Sequence, residues 1–536
     1  MALAPFFAKA AKSASQVLSG FDARAFASSL ENAPVAVAWD AQGVSSSEAR
    51  ATLDLLVDLC SRLYPVIRFV PLDAAAASIV GDLTTQARAI NPRLDVGDDP
   101  SDAAVLVVVG QTPIGADGRK VDRAVIYAGS DGWIASISNK TPIGSGKSVN
   151  IFGACVAACL AAANVFRAVF HAQLSNADLD TDVSMSVIDM VPRMRLDTGG
   201  GVDLVRPINP DLPDSIDIGE AHLVGIGAIG HATVWALRRT RGVHGTLHLV
   251  DGEEYDDTNP QRYVGTTHDQ RGAKATSASD APWVSDGLTI VPHDVTWAQH
   301  VSAFASRQGN WRLERVALAV DTAADRVRVQ AALPRVIHNA WTRPENIGVA
   351  RHNFLEGPCV CCFYMPNGPK PNYDDIVADA LRIKDPIERK KVRFYIDTGA
   401  PLDADALSWI GDRMALDDAH RNELQAFLGK SLQALYTRGI CGGVLLTLGD
   451  GEAGHQPEME VPAAFQSALA GILLAAEIVV DAASLRSQPI APRTEINLLR
   501  PLRGTLNAPQ LRPPDGSCLC QDSDYQAAYR AKYGLE

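Results

Sequence analysis

Short apolar runs, bounded by glycine, proline and polar clusters, recur along the whole chain, and runs of that length fit strands buried on both faces. Val35 to Trp39, Ala104 to Val109 and Ala124 to Tyr127 predict strands in the first part, with helical or polar segments between them. Ala221 to Val224, Thr246 to Val250, Val316 to Val320 and Glu495 to Leu499 predict strands in the second. Strands alternating with helices predict an α/β protein. Two longer apolar stretches, Ile151 to Phe170 and Val461 to Val480, approach membrane-spanning length, but both are rich in alanine and each carries a charge, Arg167 or Glu477. They read as helices buried in protein. Each closes its half of the chain with the same texture of small residues, which suggests an internal duplication. Between the halves, Asn176 to Asp217 holds Gly199, Gly200, Gly201 and several prolines, and predicts a linker or surface wrap. Later, Leu424, Phe427, Leu428, Leu432 and Leu435 recur at helical spacing and predict a helix stopped at Gly439.

The stretch from Ala221 to Lys274 carries the most chemistry. A strand leads into Gly225-Ile-Gly227-Ala-Ile-Gly230 and then into a helical segment, Ala232 to Arg241. The first glycine permits the turn, the second lets a phosphate approach the backbone, and the third lets helix pack on strand. The helix start adds unpaired N–H groups and the positive end of its dipole. The next strand delivers Asp251 about 20 residues on, where a carboxylate accepts hydrogen bonds from a ribose. The stretch reads as a nucleotide-binding βαβ unit. The first half has no such glycine turn, and Gly144-Ser-Gly-Lys147-Ser148 falls short of a P-loop because Thr141 stands where its first glycine belongs.

Composition narrows the picture. A chain of 536 residues with 47% apolar residues supports two or three domains. A net charge of -13 argues against nucleic acid as the main partner. Nine cysteines, some in close pairs, read as reduced thiols and metal ligands, and a cytoplasmic location follows. Met1 to Gly20 lacks a basic segment ahead of its apolar part and reads as an amphipathic helix. Cys155 and Cys159, four apart on an apolar helix, read as core residues.

Downstream of Asp251, the run Asn259-Pro-Gln-Arg262, continuing to Gly272-Ala-Lys274, resembles the Asp…Asn-Leu-x-Arg-Gln…Lys signature of the E1-like family, with Pro260 in place of Leu and Tyr263 in place of Gln. That family comprises ubiquitin-activating enzymes and the bacterial ThiF and MoeB proteins. Attack on the α-phosphate of ATP develops negative charge, which a guanidinium and an ammonium can stabilise. The resemblance implies two Rossmann-like adenylation halves, a degenerate one over 1–195 and an active one beginning at 196–362. A helical insertion with a catalytic-cysteine region follows over 363–440, and the adenylation domain resumes over 441–536. It further implies ATP and Mg²⁺ at Gly225, Gly227, Gly230, Asp251, Asn259, Arg262 and Lys274.

An aspartate at the end of the strand Val316 to Val320 would hold Mg²⁺, and the spacing leaves Asp321 and Asp325 both as candidates. Either could equally be an N-cap for the next helix. Cys359 and Cys362 give the CxxC spacing that grips one tetrahedral ion, and Cys518 and Cys520 sit where relatives place a second pair, implying a structural zinc site with Cys361 left over. Cys441, followed by glycines, resembles the cysteine that bonds the activated C-terminus, although a buried structural thiol is the alternative. Relatives also place an arginine from the inactive half or from a second subunit at the ATP site, for which Arg24 is the guess.

The resemblance therefore implies an activating enzyme for a ubiquitin-like β-grasp protein, passing it to an E2-like conjugating enzyme. The two-half layout is most similar to the E1 of bacterial ubiquitin-like (Bil) antiphage operons, with antiviral defence as the setting and a homodimer left open. No nucleic acid or membrane partner is expected. The competitors are a ThiF/MoeB-type sulfur-carrier adenylyltransferase, a NAD- or FAD-dependent oxidoreductase and a carrier-binding scaffold without activity.

Overall fold

The computed structural model describes all residues except 1–3, 5, 116–122, 195–206, 283–286, 306–311, 365–372, 417, 437–460, 489 and 536. The chain forms two compact units, one comprising Met1–Met365 with Pro462–Glu536 and the other Pro366–Val461.

The first unit holds two eight-stranded sheets. The strands of the first are β1 (Val35–Trp39), β2 (Val66–Pro71), β3 (Asp95–Gly97), β4 (Val105–Val109), β5 (Ala124–Asp131), β6 (Ile134–Ser138), β7 (Val183–Ser186) and β8 (Pro192–Met194). Those of the second are β9 (Ile216–Val224), β10 (Val243–Val250), β11 (Leu288–His293), β12 (Arg315–Leu318), β13 (Val336–Thr342), β14 (Asn346–Asn353), β15 (Arg493–Asn497) and β16 (Leu506–Ala508). The orders are β3-β2-β1-β4-β5-β6-β7-β8 and β11-β10-β9-β12-β13-β14-β15-β16. In each, the first five strands of the chain pair in parallel and the last three run antiparallel. Both sheets are thus mixed, in an α/β fold, and one connectivity is used twice.

The two alanine-rich stretches occupy equivalent places in that connectivity. Helix Phe152–Val169 lies between β6 and β7, and helix Ala464–Ala482 lies between β14 and β15. Both meet the length and composition of a membrane span, yet almost every side chain on them is buried in one hydrophobic core shared by the two sheets. Phe166 and Phe465 meet across that core with ring centroids 5.7 Å apart. Small side chains let the helices approach their sheets closely, and the large ones between them carry the burial, about 1.5–3 kcal/mol each for a Leu or Ile.

Two expectations change. The supposed linker contributes β7 and β8: Val183 and Met185 are buried, but the strands are too short to show as a periodic run. The helix expected across Leu424 to Leu435 is broken, because Gly429 takes a φ of +76° and Leu428 is 54% exposed. The second unit is built instead from helices Tyr373–Ala380, Pro386–Thr398, Ala404–Arg413 and Asp418–Leu424, around Leu381, Leu407, Ile410 and Leu432.

Glu477, on helix Ala464–Ala482, is fully buried. Its carboxylate accepts hydrogen bonds from Arg351 and from Arg486 Nη1 and Nη2 at 2.7 and 2.6 Å, while Arg486 Nε donates to the carbonyl of Ile188 in the first half at 2.8 Å. Burial alone would raise the carboxyl pKa, but the two guanidiniums outweigh it and hold it far below the ordinary value of 4.5. A depressed folded-state pKa gives stability that is present above the unfolded-state value and lost as pH falls below it. Glu477→Gln should lower stability at pH 7 by about 3 kcal/mol in urea melts, by leaving two half-buried cations short of a partner. It should also flatten the acid limb below pH 4.5.

Candidate functional site

The turn after β9 has the geometry that its glycines predict. Gly225 adopts a φ of +90°, and a Cβ there would sit 2.7 Å from the carbonyl oxygen of Ala319. A Cβ on Gly230 would lie 2.2 Å from the carbonyl oxygen of Gly225, so helix and turn touch backbone to backbone. Gly227 opens onto space, its nearest neighbour being the Tyr263 hydroxyl, 3.6 Å from a built Cβ. Gly227 is also the N-cap of helix Ala228–Arg239, and no side chain among the described residues caps that start. An uncapped helix N-terminus facing an open glycine is suited to an anion.

Asp251, at the end of β10, ties the turn in place. Its Oδ2 accepts from the Ile226 N–H at 2.6 Å and its Oδ1 from the Glu253 N–H at 2.8 Å. Burial pushes its pKa up, against the pull of Lys274 and these N–H groups. Each carboxylate oxygen keeps a second lone pair for a ribose hydroxyl.

Asn259 opens the short turn Asn259–Gln261, with its N–H on Asp256 Oδ1 at 3.1 Å. Arg262 follows, and its Nη1 is buried without a hydrogen-bond partner among the described residues. Such an atom has a donor to offer a ligand, since leaving it unmet costs about 1–3 kcal/mol or more. Lys274 is 5% exposed, pairs with Glu253 at 2.5 Å and lies 5.8 Å from the centre of the Tyr263 ring. Burial works against its charge, yet Tyr263, Glu253 and Asp251 together raise its pKa above the ordinary lysine value.

Tyr263 is where these groups converge. Burial raises its pKa, Lys274 and Arg262 act against that rise, and Asp321 and Asp251 reinforce it. The charge of Asp321 is therefore felt at Tyr263. The Asp325 carboxylate accepts from Thr322 Oγ1 at 2.6 Å and from Arg328 at 2.8 Å, while the Asp325 N–H bonds to Thr322 Oγ1. Thr322 is the N-cap of helix Ala323–Ala331, and the Asp325 carboxylate is engaged by it and by Arg328.

One cation was not legible in the sequence. Lys9, on the N-terminal helix Phe7–Ser15, is 8% exposed, and burial followed by the Arg262 charge pushes its pKa down to about 8, opposed by Asp256 and Asp321. The first half thus supplies a lysine to the cluster, whereas Arg24 stands exposed on helix Ala23–Glu31. A lysine on a short amphipathic helix gives no signal of its destination, because the contact is set entirely by how the halves pack.

The matching turn of the first half is closed by its own side chain. Asp40, directly after β1, accepts from the Gln42, Gln111 and Thr112 N–H groups at 3.0, 2.7 and 2.9 Å and from the Thr112 hydroxyl at 2.8 Å. Asp73, just past β2, accepts from the Ala41 N–H at 2.7 Å, as Asp251 does from Ile226. The Gly144 to Ser148 stretch is also occupied, with the Ser148 N–H on the buried Glu48 at 2.9 Å.

Cys359, Cys362, Cys518 and Cys520 place their sulfurs within 4.8 Å of one another. Individual separations are 3.9, 3.5, 3.3 and 3.6 Å. Zn–S bonds of about 2.3 Å in a tetrahedron require about 3.8 Å, so the four thiols fit zinc. Cys361 is buried and stands outside the group, which resolves the choice within the CxxC. Helix Ser523–Tyr533 follows the second pair and docks through Tyr529 and Tyr533, whose hydroxyls donate to the carbonyls of Arg335 and Leu313 at 3.0 and 3.1 Å. Cys441 lies outside the described residues. Elemental analysis should find zinc bound, Cys362→Ser should abolish it, and chelation should lower stability by about 4 kcal/mol for a metal held a thousandfold above its Kd.

Residues 38–171 match the model of Prokaryotic E2 family C. This ties the chain to ubiquitin-like conjugation in prokaryotes and to the enzymes of that pathway. The matched segment contains Cys60, Cys155 and Cys159, all fully buried, and burial raises the pKa of each thiol, to about 12 for Cys60 and Cys155. The chain is also 41% identical over 535 residues to the uncharacterized protein y4jF of Sinorhizobium fredii (strain NBRC 101917 / NGR234), covering 100% of this chain and 98% of that protein. The chain belongs to the family of y4jF.

Proposed function

We propose that this protein is an E1-like activating enzyme: it adenylates the C-terminus of a ubiquitin-like protein with ATP and passes it, through a thioester, to an E2-type partner. The observation that carries the reading is a site of open Gly227 at an uncapped helix start, with the Tyr263 hydroxyl its nearest neighbour, Lys274 beside that ring, Asp251 bound to the turn at Ile226 and Arg262 Nη1 unpartnered among the described residues. A dinucleotide oxidoreductase needs the glycine turn and Asp251 but has no use for the buried cations. The match to a prokaryotic E2 family supports the pathway. With all three of its cysteines buried, the matched segment does not favour thiol transfer in the first half.

On this reading the two sheets are Rossmann-like adenylation halves, with the first made inactive by Asp40. The triphosphate lies over the turn at Gly225, Gly227 and Gly230, and Asp251 accepts from the ribose. The carrier carboxylate attacks the α-phosphorus, a new O–P bond forms, and the bond to the β-phosphate oxygen breaks to release pyrophosphate. Arg262, Lys274 and Lys9 meet the charge that develops on the phosphate oxygens, and Asp321 is the residue to hold Mg²⁺. Next, the Cys441 thiolate attacks the acyl carbon, forming the thioester and releasing AMP. The four thiolates at Cys359, Cys362, Cys518 and Cys520 hold zinc away from this chemistry, where it closes the fold. The resemblance to the Bil operons points to cytoplasmic antiphage defence as the setting.

ATP–pyrophosphate exchange, dependent on a ubiquitin-like protein, tests the adenylation step. Arg262→Ala and Lys274→Ala should each slow turnover on the order of 10²–10³-fold, as loss of a preorganised transition-state donor does, and full activity in either would sink the assignment. Lys9→Ala should lower kcat/KM in the same assay. On non-reducing gels, wild type should form an ATP-dependent, thiol-sensitive adduct with the carrier. Cys441→Ala should lose the adduct and keep the exchange; an adduct that persists would move the nucleophile elsewhere.

A further inference from the structure

Helix Ser47–Ser61 of the first half presents Asp54, Asp58 and, at its C-cap, Arg62 at successive i, i+4 positions along one face. All three reach into the second half. Asp54 pairs with Arg239, at the end of the helix that starts from the glycine turn, at 2.8 Å. Arg62 is entirely buried and Asp58 nearly so, and they form a bidentate pair at 2.7 and 2.9 Å. Two N–H groups of Arg62 go to Asp58, one to the carbonyl of Pro260, one to Thr266 Oγ1 at 3.3 Å and one to the carbonyl of Thr266 at 3.1 Å. That uses every donor of the guanidinium fork. Asp58 Oδ2 also accepts from the Gly265 N–H at 2.9 Å.

Pro260 and Thr266 are the two shoulders of the segment that carries Arg262 and Tyr263. Within it, Thr266 bonds back to the carbonyl of Tyr263 through both its hydroxyl, at 2.7 Å, and its N–H, at 3.2 Å. Just beyond, the His268 N–H and ring reach the carbonyl of Ala89 in the first half, each at 3.0 Å. The segment therefore has its ends fixed by a side chain from another half of the chain, while the Arg262 tip keeps an unspent donor.

We infer that the buried Asp58–Arg62 pair of the first half is a positioning device for Arg262 and Tyr263, so that the half without a glycine turn sets the geometry of the nucleotide site in the other. The inference rests on the adenylation reading for its catalytic consequence, but not for the clamp itself. A planar five-donor fork is required: lysine carries the charge but only three donors, on one atom, and cannot make the five contacts that Arg62 makes. A displacement of about 1 Å at a catalytic group can cost on the order of 10²-fold in rate.

The test compares wild type with Arg62→Lys and Asp58→Asn in the full chain, with thermal melts to show that each variant folds. Two readouts are needed: amide hydrogen exchange across 260–268 and the kinetics of carrier-dependent ATP–pyrophosphate exchange. The positioning role predicts faster amide exchange confined to 260–268, turnover slowed by roughly one to two orders of magnitude, and a KM for ATP within about threefold of wild type. A folded Arg62→Lys variant with unchanged amide exchange, or with faster exchange and undiminished turnover, overturns it. Wild type that neither binds ATP nor catalyses exchange would refute the adenylation reading instead. Amide exchange would then decide the clamp alone, with unchanged protection across 260–268 overturning it.

Discussion

The constraint on which the molecule depends is the burial of two alanine-rich helices against each other and their sheets. Phe152–Val169 and Ala464–Ala482 are both too apolar to face water, and each sits on its own mixed sheet. The apolar surface they leave is removed from water only by bringing the halves together, in one core that runs through both. A half on its own would expose that face. The duplication is therefore obligate in a physical sense, and the polar contacts at the seam inherit a fixed geometry from it.

That geometry is where the site gains its additional parts. The glycine turn, Asp251 and Arg262 arise within one half, but Lys9 and the Asp58–Arg62 pair come from the other. Glu477 with Arg351 and Arg486 performs the same joining at a second place along the seam. Buried ion pairs are poor sources of net stability, since desolvation offsets most of the attraction, but they are demanding about geometry. Their placement at the joint fits a need for register more than for strength.

Much of this was legible in the residues, and what was not has identifiable causes. Strands buried on both faces advertise themselves, so β1, β4, β10 and β12 fall where the apolar runs predict; β7 and β8 do not, being too short to establish a period. The glycine turn was readable because its constraints are local: a positive φ at Gly225 and a backbone contact at Gly230. The choice of Cys362 over Cys361 as the second ligand of the first pair depended on which face of a single helical turn meets the tail. That Thr322 and Arg328 both bind the Asp325 carboxylate is a local geometry the spacing does not announce. Lys9 and Arg62 were invisible for a different reason: their roles are set by tertiary packing, and neither leaves a periodic or spacing signal.

Asp40 has a thermodynamic consequence. A half whose turn awaits a nucleotide owes part of its stability to the concentration of that nucleotide, about 2.7 kcal/mol when the ligand stands a hundredfold above its Kd. The first half carries its own anion, covalently attached and always at saturating local concentration, in the four hydrogen bonds that Asp40 accepts. On the proposed reading, its folding is thereby uncoupled from the supply of nucleotide. On the same reading, the half that does the holding keeps its turn closed whether nucleotide is plentiful or scarce, while the half being held loads and unloads.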